Sequence, residues 1–570
     1  MVKLAEKSGI SSKLSILIIL LVGFLVYLPI LRNGFVWDDE EQIVNNPYIK
    51  SFTNLPQIFK GSTFASGGAG LTGWYYKPLM SLWFMFNYRL WGLNSIGFHL
   101  SQLILHLINC VLIFILFQKL FKEFGDSRAR LIGFFLAIVF VVHPANVESV
   151  AYISASQELL YTFFLLLAFL IFLVSDRIWV IFSGGLLYFL ALLSKESAIV
   201  GLPIIGFYFW QAGRKKKSLW LALNLFCVFL IYFYLRTFVA KIPLTKPELS
   251  PIAAASFSQR LLTVPYILFS YLRLIFFPLN LSIARHWVVR QISDIRFYAA
   301  LPAVIIFFVW LFWQLKKFNL KIPKHQANLG KFFCCWLVIS LALVLNLFPL
   351  DMTITERWLY FPMLGMLGIM GMLGIEKLGK GRLVFGLIVF LFAGRTFLRT
   401  LDWQNGLILY GRDIKINPEA FDLQNNYGVE LIRNNKIDEA KAHFEKSIEL
   451  SPDWWTNYSN LGVIYQRKGD LVKAREFYQK AIANGNYYLA YENLAGLLLK
   501  TENPEQTITF LDTALKKFPF NQFLRKVLII ALTRKTDFVL AEKEASWLYR
   551  LSPTEENRLL YEMVLKKRKL

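Results

Sequence analysis

Leu14–Leu31 reads LSILIILLVGFLVYLPIL, and this uncharged stretch decides the fold class of the chain. A run of about 18 apolar residues is long enough to cross the hydrocarbon core of a bilayer as a helix. Trp37-Asp38-Asp39-Glu40 follows, at the level where such a helix leaves the membrane. Carboxylates beside hydrocarbon are costly unless they are paired or functional. The sequence therefore predicts a membrane-spanning helix with a reactive acidic cluster at the membrane surface.

The composition of the whole chain favours a membrane protein. Of its 570 residues, 56% are hydrophobic, and the mean hydropathy is +0.46. Long apolar runs alternate with short basic loops, as in polytopic helical proteins, and we assign the net charge of +24 to loops on the cytoplasmic side rather than to nucleic-acid binding. The cysteines all fall in apolar stretches, which favours packing over disulfides or metal binding. They are Cys110, Cys227, Cys334 and Cys335.

The apolar runs predict an all-α protein that begins with a polytopic membrane domain over residues 1–400. We expect about 11 to 13 spans, a large first outer loop over 32–96, and an interfacial or re-entrant helix at 262–279. The basic clusters then place the loops that hold Asp38, Glu148, Lys195 and Glu356 together on the extracytoplasmic side. This convergence predicts one site at a single membrane face.

After about residue 400 the long apolar runs stop, and a repeat of about 34 residues begins. Gly428, Gly462 and Ala495 occupy equivalent positions where two helices must approach closely. Prolines follow the second helix of several units. This pattern is typical of tetratricopeptide repeats. We therefore predict a linker over 401–420 and an α-solenoid over 421–570, with about four repeats and a capping helix.

The outer loops contain acids and bases that suit transfer of a group from a membrane-held anionic donor. Arg and Lys could hold a phosphate, and a carboxylate could take a proton from an acceptor hydroxyl. A divalent metal on the adjacent carboxylates is left open. The candidates are Asp38, Asp39, Glu40, His143, Glu148, Lys195, Glu196, Arg285, His286, Glu356, Arg357 and Tyr360.

Each candidate also has a structural interpretation that the sequence leaves open. Glu356-Arg357 and Lys195-Glu196 could be ion pairs that satisfy helix ends, and His143 before Pro144 could terminate a helix. Arg285-His286 could anchor to headgroups. Asp38-Asp39 could cap a following helix. The convergence of several groups, rather than any single one, favours a functional site.

An ordered set of motifs, followed by the repeats, resembles the transmembrane-and-TPR O-mannosyltransferase family and its prokaryotic relatives in the GT-C superfamily. The motifs are Trp37-Asp38-Asp39 with Asn46-Pro47, Tyr76-Lys77-Pro78-Leu79, Gly97-Phe98-His99, His143-Pro144 with Glu148, Ser194-Lys195-Glu196, Pro278 to Ser282, and Glu356-Arg357 with Leu359-Tyr360 and Pro362.

The resemblance implies a GT-C-type membrane fold and an inverting hexose transfer, for example of mannose, from a polyprenyl or dolichyl phosphate. The acceptor would be a Ser or Thr hydroxyl of a protein on the extracytoplasmic face, bound with help from the repeats. Asp38 or Asp39 would be the base. The candidates for the donor phosphate are Arg357, Lys195, Arg285 and His286, and the supporting residues are Glu40, His143, Glu148, Glu196, Glu356 and Tyr360.

One departure concerns the donor. The family tends to carry an arginine shortly before the segment that corresponds to Glu158-Leu159-Leu160, and this chain has Ser154-Ala155-Ser156-Gln157 there. The way the phosphate is held, or the sugar, could therefore differ. The alternatives are a GT-C transferase with a glycan or lipid acceptor, a membrane-anchored repeat scaffold, and a transporter. A scaffold would not need a dozen spans, and transporters place ionisable residues in mid-span.

Overall fold

A computed structural model describes residues 11–63, 74–123, 128–243, 250–319, 324–374, 382–485 and 487–569. Part of the predicted first outer loop, residues 64–73, lies outside this range. The described residues form helices joined by turns, with one isolated antiparallel bridge between Arg285 and Ile354. The prediction of an all-α chain is therefore confirmed.

The described residues divide into two compact units. The first comprises residues 11–44, 49–63 and 74–420, and the second comprises 45–48 and the residues from 421 onward. The helices of the first unit are α1 (Ser12–Tyr27), α2 (Leu55–Lys60), α3 (Pro78–Trp91), α4 (Ser95–Glu123), α5 (Ala129–Val141), α6 (Val147–Ala151), α7 (Ser156–Phe172), α8 (Ile178–Ser194), α9 (Gly201–Gln211), α10 (Lys215–Tyr234), α11 (Phe257–Phe276), α12 (Ile295–Asn319), α13 (Lys324–Ala342), α14 (Pro362–Gly374), α15 (Arg382–Asp402) and α16 (Gly406–Ile416).

Six helical stretches of the first unit are long and apolar enough to cross a membrane, and α5 with the helical segment 144–151 adds a seventh if this pair, bent by 58°, is one span. Three shorter apolar helices accompany them, within α8, α13 and α14. The chain is thus a multi-pass membrane protein. The expected 11 to 13 spans remain a prediction, and α11, which overlaps the predicted re-entrant helix, is not among the six.

Glycines let helices of this unit pack with their backbones close together. A Cβ on Gly133 of α5 would lie 3.0 Å from the Phe114 carbonyl oxygen of α4, and one on Gly365 would lie 2.7 Å from the Leu337 backbone nitrogen. Small residues are the usual means of close helix packing in membranes, where burial of apolar surface does not drive association.

The stretch predicted as a linker contains α16. Asp413 of this helix accepts hydrogen bonds from both terminal nitrogens of Arg399 in α15, at 2.7 and 2.9 Å, and one from the Ile283 backbone nitrogen at 2.9 Å. All these groups are buried. The domain boundaries themselves remain a prediction.

The second unit consists of antiparallel helix pairs and a last helix. They are α17 (Phe421–Arg433), α18 (Ile437–Leu450), α19 (Trp455–Arg467), α20 (Leu471–Asn484), α21 (Tyr488–Thr501), α22 (Pro504–Lys517), α23 (Gln522–Arg534), α24 (Phe538–Leu551) and α25 (Glu555–Lys569). Gly428 faces the ring of Phe444, and Gly462 faces the ring of Tyr478, where a Cβ would lie 2.4 Å from the nearest ring carbon in the second case. Each glycine therefore permits the two helices of its pair to meet around an aromatic side chain.

Candidate active site

Trp37 fixes the start of the acidic loop after α1. Its backbone is in the left-handed region, with φ at 56°, which is strained for a bulky residue. Such strain persists only where surrounding contacts hold the residue. The ring of Trp37 stacks on that of Tyr152, with 5.5 Å between centroids and 16° between planes. Tyr152 in turn stacks on the buried Trp403. The acidic residues that follow Trp37 are thus held against Tyr152.

The two aspartates occupy different environments. Asp39 is fully buried, and its Oδ1 accepts hydrogen bonds from the backbone nitrogen and the hydroxyl of Ser154, at 2.8 and 2.6 Å. Its Oδ2 accepts one from the Val36 backbone nitrogen at 3.2 Å. Asp38 is half-buried, and its Oδ2 accepts a hydrogen bond of 2.7 Å from the Tyr152 hydroxyl. Both carboxylate oxygens of Asp39 are hydrogen-bonded within the protein interior, whereas part of the Asp38 side chain is accessible to solvent.

Burial also changes the acidity of the carboxyl groups. It raises the pKa of Asp39 to about 7, although the hydrogen bonds from Ser154 and Val36 oppose the change. It likewise raises the pKa of Glu356, against the attraction of Arg285. Removing a carboxylate from water disfavours its charged form. Asp39 therefore keeps its proton to a much higher pH than an exposed aspartate does.

Arg357 lies beside the Asp38–Tyr152 pair. Its guanidinium carbon is 5.8 Å from the ring centroids of both Trp37 and Tyr152, a distance typical of cation–π contacts. The guanidinium donates to the buried Glu148, which also accepts a hydrogen bond of 2.9 Å from the Arg357 backbone nitrogen. The Thr355 hydroxyl lies 2.7 and 2.8 Å from the two oxygens of Glu148. Glu148 therefore orients Arg357 over the aromatic pair.

Lys195 and Glu196 belong to two separate ion pairs. Lys195 donates to the buried Glu158 and lies 5.5 Å from the centroid of the Tyr161 ring. Glu196 accepts from Nε of Arg236 at 3.0 Å. The lysine is near the Arg357 group, since the charges of Glu158 and Arg357 both act on it. The structure thus places Asp38, through Tyr152, beside Arg357, and a single site that also includes Lys195 remains a prediction.

Arg285 and Glu356 form a buried pair with each other. Nη2 of Arg285 lies 3.3 Å from Oε1 of Glu356 and donates to the Asn280 carbonyl at 2.7 Å. Glu356 also accepts from the Ser282 backbone nitrogen. Arg285 itself sits on the bridge to Ile354. This pair joins the loop after α11 to the segment before Glu356, and His286 is buried next to it.

The remaining candidates, His143, Tyr360 and Glu40, each lie in a different local environment. His143 accepts from the Ala145 backbone nitrogen through Nδ1, and its Nε2 lies 2.9 Å from the Ile275 carbonyl oxygen, which matches its interpretation as a helix-end residue. The Tyr360 hydroxyl lies 2.8 Å from Nδ1 of His106 in the helical interior. Glu40 is half-buried and begins the short helical turn Glu40–Val44.

Tyr152 and Ser154 contact the two aspartates, and the sequence alone does not identify either as a site residue. Tyr152 lies in a weakly polar stretch of sequence. Ser154 is notable in the sequence only because this chain has it in the segment where the family tends to carry an arginine. The sequence offers no local signal for either contact, because each joins residues more than a hundred positions apart.

The acidic loop does not fit a metal centre. Nowhere in the described ranges are three or more His, Cys, Asp and Glu side chains grouped so that they could hold a metal ion. Both carboxylate oxygens of Asp39 already accept hydrogen bonds from other groups of the protein.

An apolar cavity of about 820 Å³ opens between α5, α11, α14 and α15. Its wall includes Phe277, Leu367, Ile388 and Gly394, and its polar residues are His143 and Arg395. The guanidinium of Arg395 donates to the Leu279 carbonyl at 3.0 Å. We call this cavity the apolar groove.

Comparisons with known proteins give relatives over most of the chain. Protein O-mannosyl-transferase F38B6.6 of Caenorhabditis elegans is 26% identical over 471 residues, which cover 79% of this chain and 64% of that protein. Protein O-mannosyl-transferase TMTC3 of Homo sapiens is 26% identical over 530 residues, which cover 82% of this chain and 56% of that protein. The chain is a relative of the TMTC-type protein O-mannosyl-transferases. It matches between 56% and 64% of the length of these two proteins.

The tetratricopeptide repeat family matches residues 421–453 and 456–483 of this relative of the O-mannosyl-transferases. The predicted solenoid is thereby confirmed at its first two repeats. Among solved structures, YrrB, described as a TPR protein with an unusual peptide-binding site, is 20% identical, with a TM-score of 0.24, and covers 28% of this chain and 90% of its own. That score is too low to bear on function.

Proposed function

We propose that this protein is a membrane glycosyltransferase that moves a hexose such as mannose from a polyprenyl or dolichyl phosphate to a Ser or Thr hydroxyl of a protein. The observation that carries the proposal is the half-buried carboxylate of Asp38, held by Tyr152 beside Arg357. The names of the curated relatives support it, and the distribution of basic loops supports an extracytoplasmic site.

Asp38 is the proposed general base. The acceptor hydroxyl gives its proton to Asp38 as its oxygen attacks the anomeric carbon. The bond between that carbon and the phosphate oxygen breaks, and the electron pair leaves with the lipid phosphate. Attack from the face opposite the phosphate inverts the anomeric centre. Asp39 is a positioning residue, because its hydrogen bonds with Ser154 and Val36 fix the loop that carries Asp38.

Arg357 and Lys195 are the proposed partners of the leaving phosphate. A phosphate leaves readily only where its developing charge is met by fixed positive groups. Arg357 has five N–H donors and uses part of them on Glu148, so its planar guanidinium can also bind a phosphate oxygen. Glu148 and Glu158 would orient the two cations, with Glu40 and Glu196 at the edge of the site. Arg285, Glu356 and His286 stabilise the neighbouring loop in this proposal.

The apolar groove is the proposed site for the isoprenoid chain of the donor. An apolar cavity of about 820 Å³ in a membrane-spanning unit can accommodate several isoprene units. Arg395, which lines the groove, is a proposed contact for the donor phosphate. Burial of such a chain would contribute affinity at about 0.8 kcal/mol for each buried CH₂ group.

Single substitutions of the aspartates test the assignment. The purified Asp38→Asn variant is expected to lose mannose transfer from a polyprenyl phosphate donor to a Ser/Thr peptide by about 10² to 10⁴-fold, the usual contribution of a general base. The Lys415→Gln variant, which changes an exposed charge, is the control. Full activity of Asp38→Asn would refute the role of Asp38. Transfer to a glycan or lipid acceptor but not to the peptide would favour the alternative GT-C activity.

A further inference from the structure

A buried ion pair joins the last two helices of the first unit. Asp413 of α16 accepts hydrogen bonds from both terminal nitrogens of Arg399 in α15, at 2.7 and 2.9 Å. The two residues are at most 1% exposed. Two parallel hydrogen bonds hold a guanidinium and a carboxylate in one relative orientation. The carboxylate of Asp413 therefore has a defined position against α15.

The same carboxylate holds the loop that follows α11. Its Oδ2 accepts a hydrogen bond of 2.9 Å from the Ile283 backbone nitrogen. The preceding backbone nitrogen, that of Ser282, donates to Oε1 of Glu356. The charges of Asp413 and Arg399 also act on Glu356, so the two carboxylates and the guanidinium belong to one buried cluster. Successive main-chain nitrogens of the loop thus bind two carboxylates that come from different parts of the chain.

Further hydrogen bonds pair this loop with the segment that leads to the site. The Thr353 backbone nitrogen donates to the Arg285 carbonyl at 3.0 Å, and the Thr353 hydroxyl donates to the Trp287 carbonyl at 2.7 Å. The Trp287 backbone nitrogen donates back to the Thr353 hydroxyl oxygen at 3.1 Å. We call residues 282–287 and 353–356 the paired loops. Their mutual hydrogen bonds make the position of one loop depend on the position of the other.

Arg357 comes directly after the paired loops. Its main chain is fixed on one side by Glu148, which accepts a hydrogen bond of 2.9 Å from the Arg357 backbone nitrogen. On the other side it is fixed by Glu356, which the paired loops hold. The place from which the Arg357 guanidinium extends therefore depends on the paired loops and, through Ile283, on Asp413.

We propose that Asp413 is a positioning residue for Arg357 and thereby sets how well the enzyme uses its lipid-phosphate donor. The inference rests on the proposed function, because that proposal makes Arg357 the contact of the leaving phosphate. Asp413 acts through the paired loops, which fix the main chain immediately before Arg357. Misplacing a binding group by about 1 Å can lower a rate about hundredfold, even when the altered residue is far from the chemistry.

Asp413→Asn tests the inference in the purified full chain. The amide keeps the size of the side chain but cannot accept from Arg399 through both of its terminal atoms. We expect kcat/KM for a mannosyl polyprenyl phosphate donor to fall about tenfold or more. The KM for a Ser/Thr acceptor peptide at saturating donor should stay unchanged, since Arg357 faces the phosphate. An equal rise in KM for the peptide would contradict the inference.

A double-mutant cycle with Arg357→Met decides whether Asp413 acts through Arg357. The variant D413N/R357M is expected to show the same kcat/KM for the donor as R357M, because the group that Asp413 positions is already absent. If the losses of the two single variants multiply in the double variant, Asp413 acts independently of Arg357 and the inference is overturned.

Lys217→Met is the matched control for lost stability. Lys217 is also buried and charged, and it donates to the Phe172 carbonyl at 2.6 Å at the C-terminal end of α7. Glu158, the partner of Lys195, lies in the first turn of this helix, so Lys217 is about 20 Å of helix away from it. K217M is expected to melt at a lower temperature and to keep its kcat/KM for the donor. A loss of donor use in K217M equal to that in D413N would show that transfer follows stability alone, against the inference.

Thr353→Val provides a second variant that leaves every charge in place. It removes the hydroxyl between the paired loops while keeping the shape of the side chain, and it serves where D413N does not fold. Its kcat/KM for the donor should fall, and the fall should vanish in the R357M background. Wild-type donor kinetics in folded D413N and T353V would overturn the inference and leave the proposed function in place. Wild-type transfer by R357M would instead refute the proposed phosphate contact itself.

Discussion

The hydroxyl of Tyr152 donates a hydrogen bond of 2.7 Å to Oδ2 of Asp38, and two residues further on Ser154 binds Asp39. One short segment between α6 and α7 thus holds both aspartates, yet in different states. The buried Asp39 anchors the loop, and the half-buried Asp38 remains available to a substrate. Adjacent acids of the same type acquire different roles from their environments.

Tyr152→Phe removes the hydrogen bond to Asp38 while retaining the ring that stacks on Trp37. We expect transfer to fall about tenfold or more, because a hydrogen bond to a charged group contributes about 1.5 to 3 kcal/mol. The acid limb of the pH–rate profile should also move to higher pH, since the lost bond favoured the charged carboxylate. Steady-state kinetics across the pH range measure both effects.

Tyr27→Phe is the matched control, because the Tyr27 hydroxyl is buried with no hydrogen-bond partner in the described part of the chain. It should leave both rate and profile unchanged. A Tyr152→Phe variant with the wild-type profile would show that Tyr152 only packs against the loop.

The buried Asp39 should make stability depend on pH. Its folded pKa, raised to about 7 by burial, lies above the ordinary value of 3.8. The folded state therefore retains the proton that the unfolded state releases, so this contribution is present below about pH 4 and is lost as the pH rises through about 7. The effect is at most about 4 kcal/mol.

Thermal melting in detergent can isolate this contribution. The stability advantage of the wild type over Asp39→Asn should shrink between pH 4 and 8, as Asp39 ionises only in the wild type. Parallel pH curves for the wild type and Asp39→Asn would refute the expectation.

Substitutions of Arg357 and Glu148 should have non-additive effects on stability, but not on transfer activity. Arg357→Met leaves the buried Glu148 without its guanidinium partner, and breaking a buried pair in this way costs about 3 to 5 kcal/mol. In the double variant R357M/E148Q the carboxylate charge is gone, while the amide oxygen can still accept from the backbone nitrogen of residue 357. We expect the double variant to regain most of the lost thermal stability, as measured by its melting temperature. Transfer should stay low because the proposed phosphate partner, Arg357, is missing.

The double-mutant cycle distinguishes the two roles. Recovery of both melting temperature and transfer in R357M/E148Q would show that Arg357 serves stability alone. Wild-type transfer by R357M would likewise contradict the proposed contact between Arg357 and the phosphate.

Much of the architecture is local and could be predicted. The length of the apolar run Leu14–Leu31 is enough to predict its helix. The spacing of Gly428 and Gly462 is enough to predict two helix pairs. The site is different, because its contacts join distant segments. The sequence does not distinguish Asp38 from Asp39; their burial and their different partners, Tyr152 and Ser154, distinguish them in the structure. The sequence allows His143 to terminate a helix, but it does not reveal that His143 contacts the Ile275 carbonyl or that the Tyr360 hydroxyl contacts His106.

The apolar groove can be tested with two glycines of α15. A Cβ on Gly394, which lines the groove, or on Gly386, which does not, meets no atom within 4 Å. Gly394→Leu should therefore extend a side chain from an unobstructed Cβ into the groove and raise KM about tenfold for a long polyprenyl phosphate donor. Gly386→Leu should not, and neither variant should change KM for a donor analogue with a single isoprene unit. Equal KM values for the long donor in both variants would place its chain elsewhere.

Gly462 should tolerate no side chain, whereas Gly496 should. A Cβ on Gly462 would lie 2.4 to 3.0 Å from three ring atoms of Tyr478, so Gly462→Ala must displace a buried aromatic side chain, at a cost of about 1 to 3 kcal/mol. At Gly496 the nearest atom would be Phe523 Cζ at 3.9 Å, which is ordinary contact. Both glycines are in helix interiors, where alanine is preferred by about 1 kcal/mol. Chemical denaturation of the full chain, followed by far-ultraviolet circular dichroism, should show destabilisation at 462 and none at 496. If both variants gained stability, helix propensity rather than the contact with Tyr478 would decide the residue at 462.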